Sequence, residues 1–380
     1  MKSPICDMLG IEFPLLAFSH CRDVVAEVTR AGGMGVLGAV GLGPEQLETE
    51  LAWIDEQVDG LPYGVDLIIP NTMVGKDQQP SAEEVLAMIP EEHKRFADSV
   101  LQEFGIDASD IGDTQRKGGL AFGNNLRASG SSRLLEVAFR HPIKLIANAL
   151  GVPPQIMLDM GKEHGVAVAA LVGAKEHAIK QVQAGVDILV VSGTEAGGHC
   201  GEVSTMVLIP EVYEAIQPYG DVPILAAGGI VRGRQLAACM AMGAAGAWTG
   251  SMWLTTSEAE TAPVVKAKMV AASSRETVRS RSRTGKYSRQ LRSPWTDAWE
   301  AEGSPKPLPM PLQSLVSEPA LARISKLAES GHDGARQLAT YWVGQGVGLM
   351  NEVQSVRSVV YDFKQDFADA YARLMSVLDD

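Results

Sequence analysis

Cysteine is scarce in this chain. Cys6, Cys21, Cys200 and Cys239 are spread over 380 residues, and no two form a C-x-x-C pair. That spacing excludes a zinc knuckle, a dithiol motif and a small disulfide-built scaffold, and no metal site is expected. Long apolar runs are missing too. No stretch approaches the roughly 18 residues of a membrane span, so no membrane partner is expected. The opening MKSPICDMLGIEFPLL lacks the apolar core and small-residue cleavage site of a signal peptide. Positive charge is in deficit: 33 Lys and Arg stand against 46 Asp and Glu, a net charge of −13. A field of that sign does not hold nucleic acid. These absences leave a cytoplasmic protein with free thiols, acting on a small molecule, alone or as a homo-oligomer.

What is present is apolar residue in short runs, 46% of the chain by count. Eight runs bounded by turn residues read as strands buried on both faces: 14–18, 35–39, 63–69, 144–150, 167–172, 187–193, 222–229 and 246–251. Helical patterns fit between them at 22–31, 44–57, 131–139, 153–163, 175–184, 208–217 and 233–242, and an eighth follows at 257–271. Eight strand–helix units predict an α/β fold, the (β/α)8 TIM barrel. A doubly wound sheet is the rival, but the glycines of AGGMGVLGAVGLG (31–43) follow a helix and open a strand. They read as a helix stop and turn rather than a dinucleotide fingerprint. The barrel spans 1–272. A charged insertion at 70–130, with helical patches near 81–104, is expected to cover the strand ends. Residues 273–380 are expected to form a mainly helical extension packed on the barrel.

Barrel chemistry sits on loops at the strand C-termini. Those positions hold His20, Asp66, Asn148, the glycine-rich loop 193–202, Gly228–Gly229 and Gly250–Ser251. Glycines after the seventh and eighth strands let backbone N–H groups approach an anion, so they predict a phosphate site. His199, on GTEAGGHCGE, is the candidate acid or base, because imidazole exchanges a proton near neutrality. Neighbouring Cys200 is a weaker candidate nucleophile, as in purine nucleotide dehydrogenases, which are also barrels. Glu195 either orients His199 or caps a following turn. RETVRSRSRTGKYSRQLR (275–292) holds seven basic residues and one acid. It reads either as a solvated helix and loop or as a cradle for substrate phosphates. YWVGQGVGLMNEV (341–353) reads as a helix–helix turn or a segment folded back over the barrel mouth.

Taken together, GTEAGGHCGEVSTMVLIPEV, VPILAAGGIVRGRQLAACMAMGAAGAWTGS and GQGVGLM, with LGIEFPLL and VAEVTRAGGMGVLGAVGLGPEQL near the start, resemble the nitronate monooxygenase family. The likeness runs from about residue 5 to about 300 and more faintly to about 355. It implies an FMN-dependent oxidoreductase. The cofactor's phosphate would lie against Gly228, Gly229, Gly250 and Ser251. Its ring would sit near the Gly197–Gly198 backbone, with Ser19, Asp66, Ser192 and Ala227 completing the set. His199 matches the family's catalytic histidine, which takes a proton α to a nitro group before oxygen completes the reaction. The family also resembles enoyl-thioester reductases and NADH:quinone reductases, in which NAD(P)H is the electron donor. This chain departs from the family pattern at Phe18-Ser19-His20, where many relatives carry Pro-Met. It also has Asp66 in place of an asparagine and Leu171 in place of a lysine. A carboxylate at 66 would disfavour an anionic reduced flavin unless neutralised. The departures and the basic stretch imply a bulkier, phosphate-bearing substrate such as a CoA thioester.

Overall fold

A computed structural model describes residues 1–69, 82–109, 111 and 128–378. The eight apolar runs become β1 (Leu15–Ser19), β2 (Met34–Gly38), β3 (Gly64–Leu67), β4 (Leu145–Asn148), β5 (Ala167–Val172), β6 (Ile188–Ser192), β8 (Ile224–Ala227) and β9 (Gly246–Thr249). All pair parallel, and β9 closes on β1 through Leu15–Ala247, Leu16–Trp248 and Ala17–Thr249. The fold is a (β/α)8 barrel. The alternation of strand side chains sorts the apolar residues into two shells. Leu16, Met34, Val36, Leu145, Ala147, Ile188, Val190, Leu225 and Trp248 fill the barrel, with Ile5 and Leu9 from α1 (Pro4–Leu9) in the same cluster. Val65, Leu67 and Ile146 face the other way, onto the helices.

The outer layer comprises α2 (Arg22–Arg30), α3 (Pro44–Val58), α6 (Ala128–Ala138), α7 (Gln155–His164), α8 (Lys175–Ala184), α9 (Thr205–Ile216), α10 (Gly233–Ala241) and α11 (Pro263–Ala271). Proline opens α3 and α11, where its missing N–H has no intrahelical partner to lose. The last helix begins six residues later than the sequence pattern suggests, because a 3-10 turn at Ser251–Thr255 precedes it. The glycine-rich 31–43 stretch has two structural causes. Gly32 turns the chain at a φ of 86°, and a Cβ on Gly35 would run into the backbone of Val25. The helix therefore lies directly on the strand.

The insertion contributes α4 (Ala82–Ala87) and α5 (Glu91–Glu103); residues 70–81, 110 and 112–127 lie outside the described residues. Phe96 packs edge-on to Trp299 at 4.8 Å, in α12 (Pro294–Glu300), so the insertion docks on the C-terminal part of the chain. That part continues through α13 (Leu312–Glu329), α14 (Asp333–Leu338) and α15 (Val356–Leu378). Phe13, beneath the barrel, meets Phe363 and Phe367 of α15 at 6.3 and 5.5 Å.

The basic stretch corrects one expectation. It is neither helix nor loose loop but a hairpin, with β10 (Thr277–Ser280) antiparallel to β11 (Ser288–Leu291). Arginine and serine alternate from Arg279 to Arg283, which is a period of two. Ser280 and Ser282 are fully buried on one side. β11 also pairs with a two-residue strand, β7 (Gly198–His199), which forms a small sheet beside the barrel mouth.

Candidate active site

His199 does not stand on a free loop. Its backbone pairs with Ser288, and Gly198 pairs with Arg289. Its Nε2 lies 2.8 Å from Thr284 Oγ1 in the hairpin turn, and Trp342 stands 6.3 Å away between ring centroids. The outer edge of the imidazole is open to solvent, although protein surrounds the rest. That partial desolvation, then the charges of Lys286 and Arg283, hold its pKa below the ordinary histidine value. At neutral pH the ring is therefore uncharged and able to accept a proton. Of the residues around it, Arg283, Thr284 and Lys286 lie in the basic stretch and Trp342 in the 341–353 segment, and none of them was singled out individually from the sequence. The readable signal was the density of cations at 275–292.

The basic residues are mostly engaged within the protein. Arg283 gives Nε and Nη2 to the Glu318 carboxylate at 2.7 and 3.1 Å and lies 3.9 Å over the Trp342 ring. Arg289 Nε donates to Thr194 O at 2.9 Å, and Arg292 pairs with Asp297 at 2.8 Å. Lys286 and Arg275 are exposed and have no carboxylate within ion-pair distance among the described residues.

Glu195 resolves as a cap. Its carboxylate accepts from Thr205 N at 2.9 Å and from Thr205 Oγ1 at 2.8 Å, at the first turn of α9, where Ser204 makes no side-chain cap. Glu195→Ala should therefore lower stability by about 1–3 kcal/mol through the orphaned N–H. A denaturation midpoint equal to that of the parent would contradict this. Cys200 is half-buried, and burial raises its thiol pKa despite Arg289 and Arg279 nearby, so it is a poor nucleophile. Cys21, Asp23 and Glu260 come within 4.8 Å of one another. Burial raises the Cys21 pKa as well, and its thiol donates to Glu258 O at 3.2 Å. Asn148 is a brace, accepting from Ile69 N at 2.9 Å and donating to Leu150 O at 3.0 Å.

The loops after β8 and β9 make a cradle. Gly228 and Gly229 turn at φ values of 101° and 71°, which suit residues without a Cβ. The N–H groups of Gly228, Gly229 and Gly250 meet no backbone acceptor among the described residues. A Cβ on Gly250 would find only Phe18 at 3.9 Å, and one on Gly198 would find nothing within 4 Å. The 341–353 segment does fold back over this face. Gly344 N donates to Ser251 Oγ at 2.8 Å, and Gln345 N donates to Glu195 O at 2.9 Å. Gly197 is crossed closely by Val343–Gly344, which explains its missing side chain without a ligand. Ser19 Oγ accepts from Cys21 N at 3.1 Å. Ser192 and Ala227 end their strands beside one another in register. Asp66 has the strand parity opposite to Val65 and Leu67, so it faces the barrel interior. It is 1% exposed, and its Oδ1 has no partner among the described residues. Burial pushes its pKa well above the ordinary carboxylate value.

A family model described as nitronate monooxygenase matches residues 2–366. The chain belongs to the nitronate monooxygenase family. It is 52% identical, over the full length of both chains, to a Mycobacterium tuberculosis protein named "Putative monooxygenase Rv1533". A Rhodococcus jostii protein named "(3aS,4S,5R,7aS)-5-hydroxy-7a-methyl-1-oxo-octahydro-1H-indene-4-carboxyl-CoA dehydrogenase" is 36% identical over 185 residues, 48% of this chain and 51% of that protein. Nitroalkane oxidase from Streptomyces ansochromogenes superposes with a TM-score of 0.78 at 22% identity, over 97% of this chain and 99% of the other, a likeness of fold. Membership makes this protein a flavin-dependent oxidoreductase, which sets aside the purine nucleotide dehydrogenase reading. The residues fit such a cofactor: unpaired backbone donors and two side-chain-free glycines suit an anionic tail, and Asp66 Oδ1, buried without a partner among the described residues, suits a polar ring edge. No described helix is long and apolar enough to cross a membrane.

Proposed function

We propose that the protein binds FMN and oxidises an alkyl nitronate, or a related substrate that forms a carbanion, with O2, using His199 as the base. The observation that carries this reading is the uncharged imidazole of His199, held by the hairpin at the barrel mouth. Thr284 Oγ1 also lies 3.3 Å from both Lys286 N and Lys286 O, so it accepts from one and donates to the other. The Nε2–H tautomer of His199 completes that arrangement and leaves the Nδ1 lone pair free for the substrate's α-proton. Lys286 places a positive charge where the resulting anion develops. FMN, when bound, supplies the redox step. Gly228, Gly229, Gly250 and Ser251 hold its phosphate in this reading, while Ser19, Asp66, Ser192, Gly197, Gly198 and Ala227 border the ring.

The pH profile follows from the depressed pKa. The base works deprotonated, so kcat/KM on a neutral carbon acid should rise with pH through a value below the usual 6.5 and then level off. A limb centred above 6.5 would contradict the assignment. The reaction class is tested by anaerobic stopped-flow of the yellow protein against an alkyl nitronate, NADH and NADPH. Rapid bleaching by the nitronate is expected.

Bleaching only by NADH or NADPH would instead favour a second reading, NAD(P)H-dependent reduction of an enoyl thioester or quinone. The exposed Lys286 and Arg275, without carboxylate partners, favour it, because they suit the phosphates of a CoA carrier.

A further inference from the structure

A cavity of about 380 Å³ opens between the end of β1 and α13. Ser19 and the exposed His20, at the end of β1, line one part of it, with Arg283 and Tyr341. It then runs outward between apolar walls that include Trp253, Val265, Leu321 and Ile324. Trp253 and Ile324 are each 1% exposed, so these walls are parts of the core. The outer rim carries Glu260 and Glu329, both exposed. The volume is about a dozen times the ~30 Å³ that a water occupies in the liquid. It falls within the roughly 300–1,000 Å³ of small-molecule sites.

One layer of side chains separates the cavity from the His199 side of the mouth, and Ser19, at the end of β1, sets the cavity beside the barrel mouth. Arg283 lines the cavity and stacks 3.9 Å over Trp342, which in turn lies 6.3 Å from His199 and 6.1 Å from Tyr341. His20 Nδ1 is already 2.6 Å from Gly38 O, and Arg283 is paired with Glu318. With these two groups engaged, burial of hydrocarbon on the apolar walls is the main interaction that the cavity provides. The rim acids oppose an anionic chain end.

We propose that this cavity seats the uncharged hydrocarbon body of the substrate, so that the preferred substrate is a medium-chain or ring-bearing carbon acid, not one of nitroethane size. The assignment rests on the carbon-acid reading above for the reacting group, but not for the cavity itself. Each methylene seated on the apolar walls should tighten binding about fourfold. A phosphorylated carrier cannot lie along this route, past Glu260 and Glu329, without repulsion.

The test uses the flavin-loaded enzyme and unreactive 1-alkanols from propanol to octanol, followed by calorimetry. The expected result is a Kd that falls about fourfold per carbon and levels off once the cavity is full. Octanoate should bind more weakly than octanol, with the gap narrowing at high salt. Ala262→Phe, at the cavity wall and half-exposed, should flatten the series while flavin absorbance is retained. Ala259→Phe is a second filling variant if the first fails to fold. A flat series in the parent enzyme, or an unchanged series in both filled variants, overturns the proposal. So does release of flavin by octanol, because the cavity would then be the cofactor's own seat. These readouts involve no turnover. If the alkanol series holds while no nitronate reacts, the cavity stands and the carbon-acid reading falls.

Discussion

His199→Ala is expected to lower kcat/KM on a neutral nitroalkane by about 10²–10⁴-fold, the usual contribution of a positioned base. The expectation is specific because the variant should remain folded. The backbone at 199 is held by its pairing with Ser288, which alanine keeps. The ring is partly in solvent, so its removal leaves no sealed void. Flavin content should be unchanged, since the cradle at Gly228, Gly229 and Gly250 is formed by other loops. The decisive comparison is between substrates. A nitroalkane must lose its α-proton on the enzyme, whereas a preformed nitronate has already lost it. The loss should therefore be large for the first and small for the second. Equal losses for both, or none for either, would remove His199 from the role of base.

Gly250→Asp should release the flavin. A Cβ at 250 meets only Phe18 at 3.9 Å, and φ there is −126°, so the apoprotein tolerates a side chain. A bound phosphate would not. Two like charges about 4 Å apart repel by about 4 kcal/mol at an effective dielectric of about 20. That weakens binding about a thousandfold. The purified variant should be colourless with an unchanged far-ultraviolet dichroism spectrum. Stoichiometric flavin in a folded Gly250→Asp protein would show that the anion lies elsewhere.

The strands were legible because a sheet buried on both faces demands continuous apolar runs. AVAALV at 167–172 is β5 residue for residue. Helix starts were less legible. The pattern places one helix from 208, whereas α9 begins at Thr205, because the cap that permits the earlier start comes from Glu195, ten residues upstream. The basic stretch misled most. Its arginines suggested a solvated face or a phosphate cradle, but β11 adds to β7 some ninety residues away, and pairing partners at that separation leave no local trace.

Local composition was enough to specify a barrel and to mark the glycine turns after β8 and β9 and the histidine after β6 as candidates. Strand periodicity and backbone freedom are properties of neighbouring residues, so a single chain read in order displays them. Protonation and enclosure are not. The raised pKa of Asp66, the lowered basicity of His199, the pairing of Arg283 with Glu318 and the apolar cavity beside Ser19 all arise from which distant groups exclude water together. Desolvation and Coulomb forces act through space, and that arrangement exists only once the extension has closed over the barrel mouth.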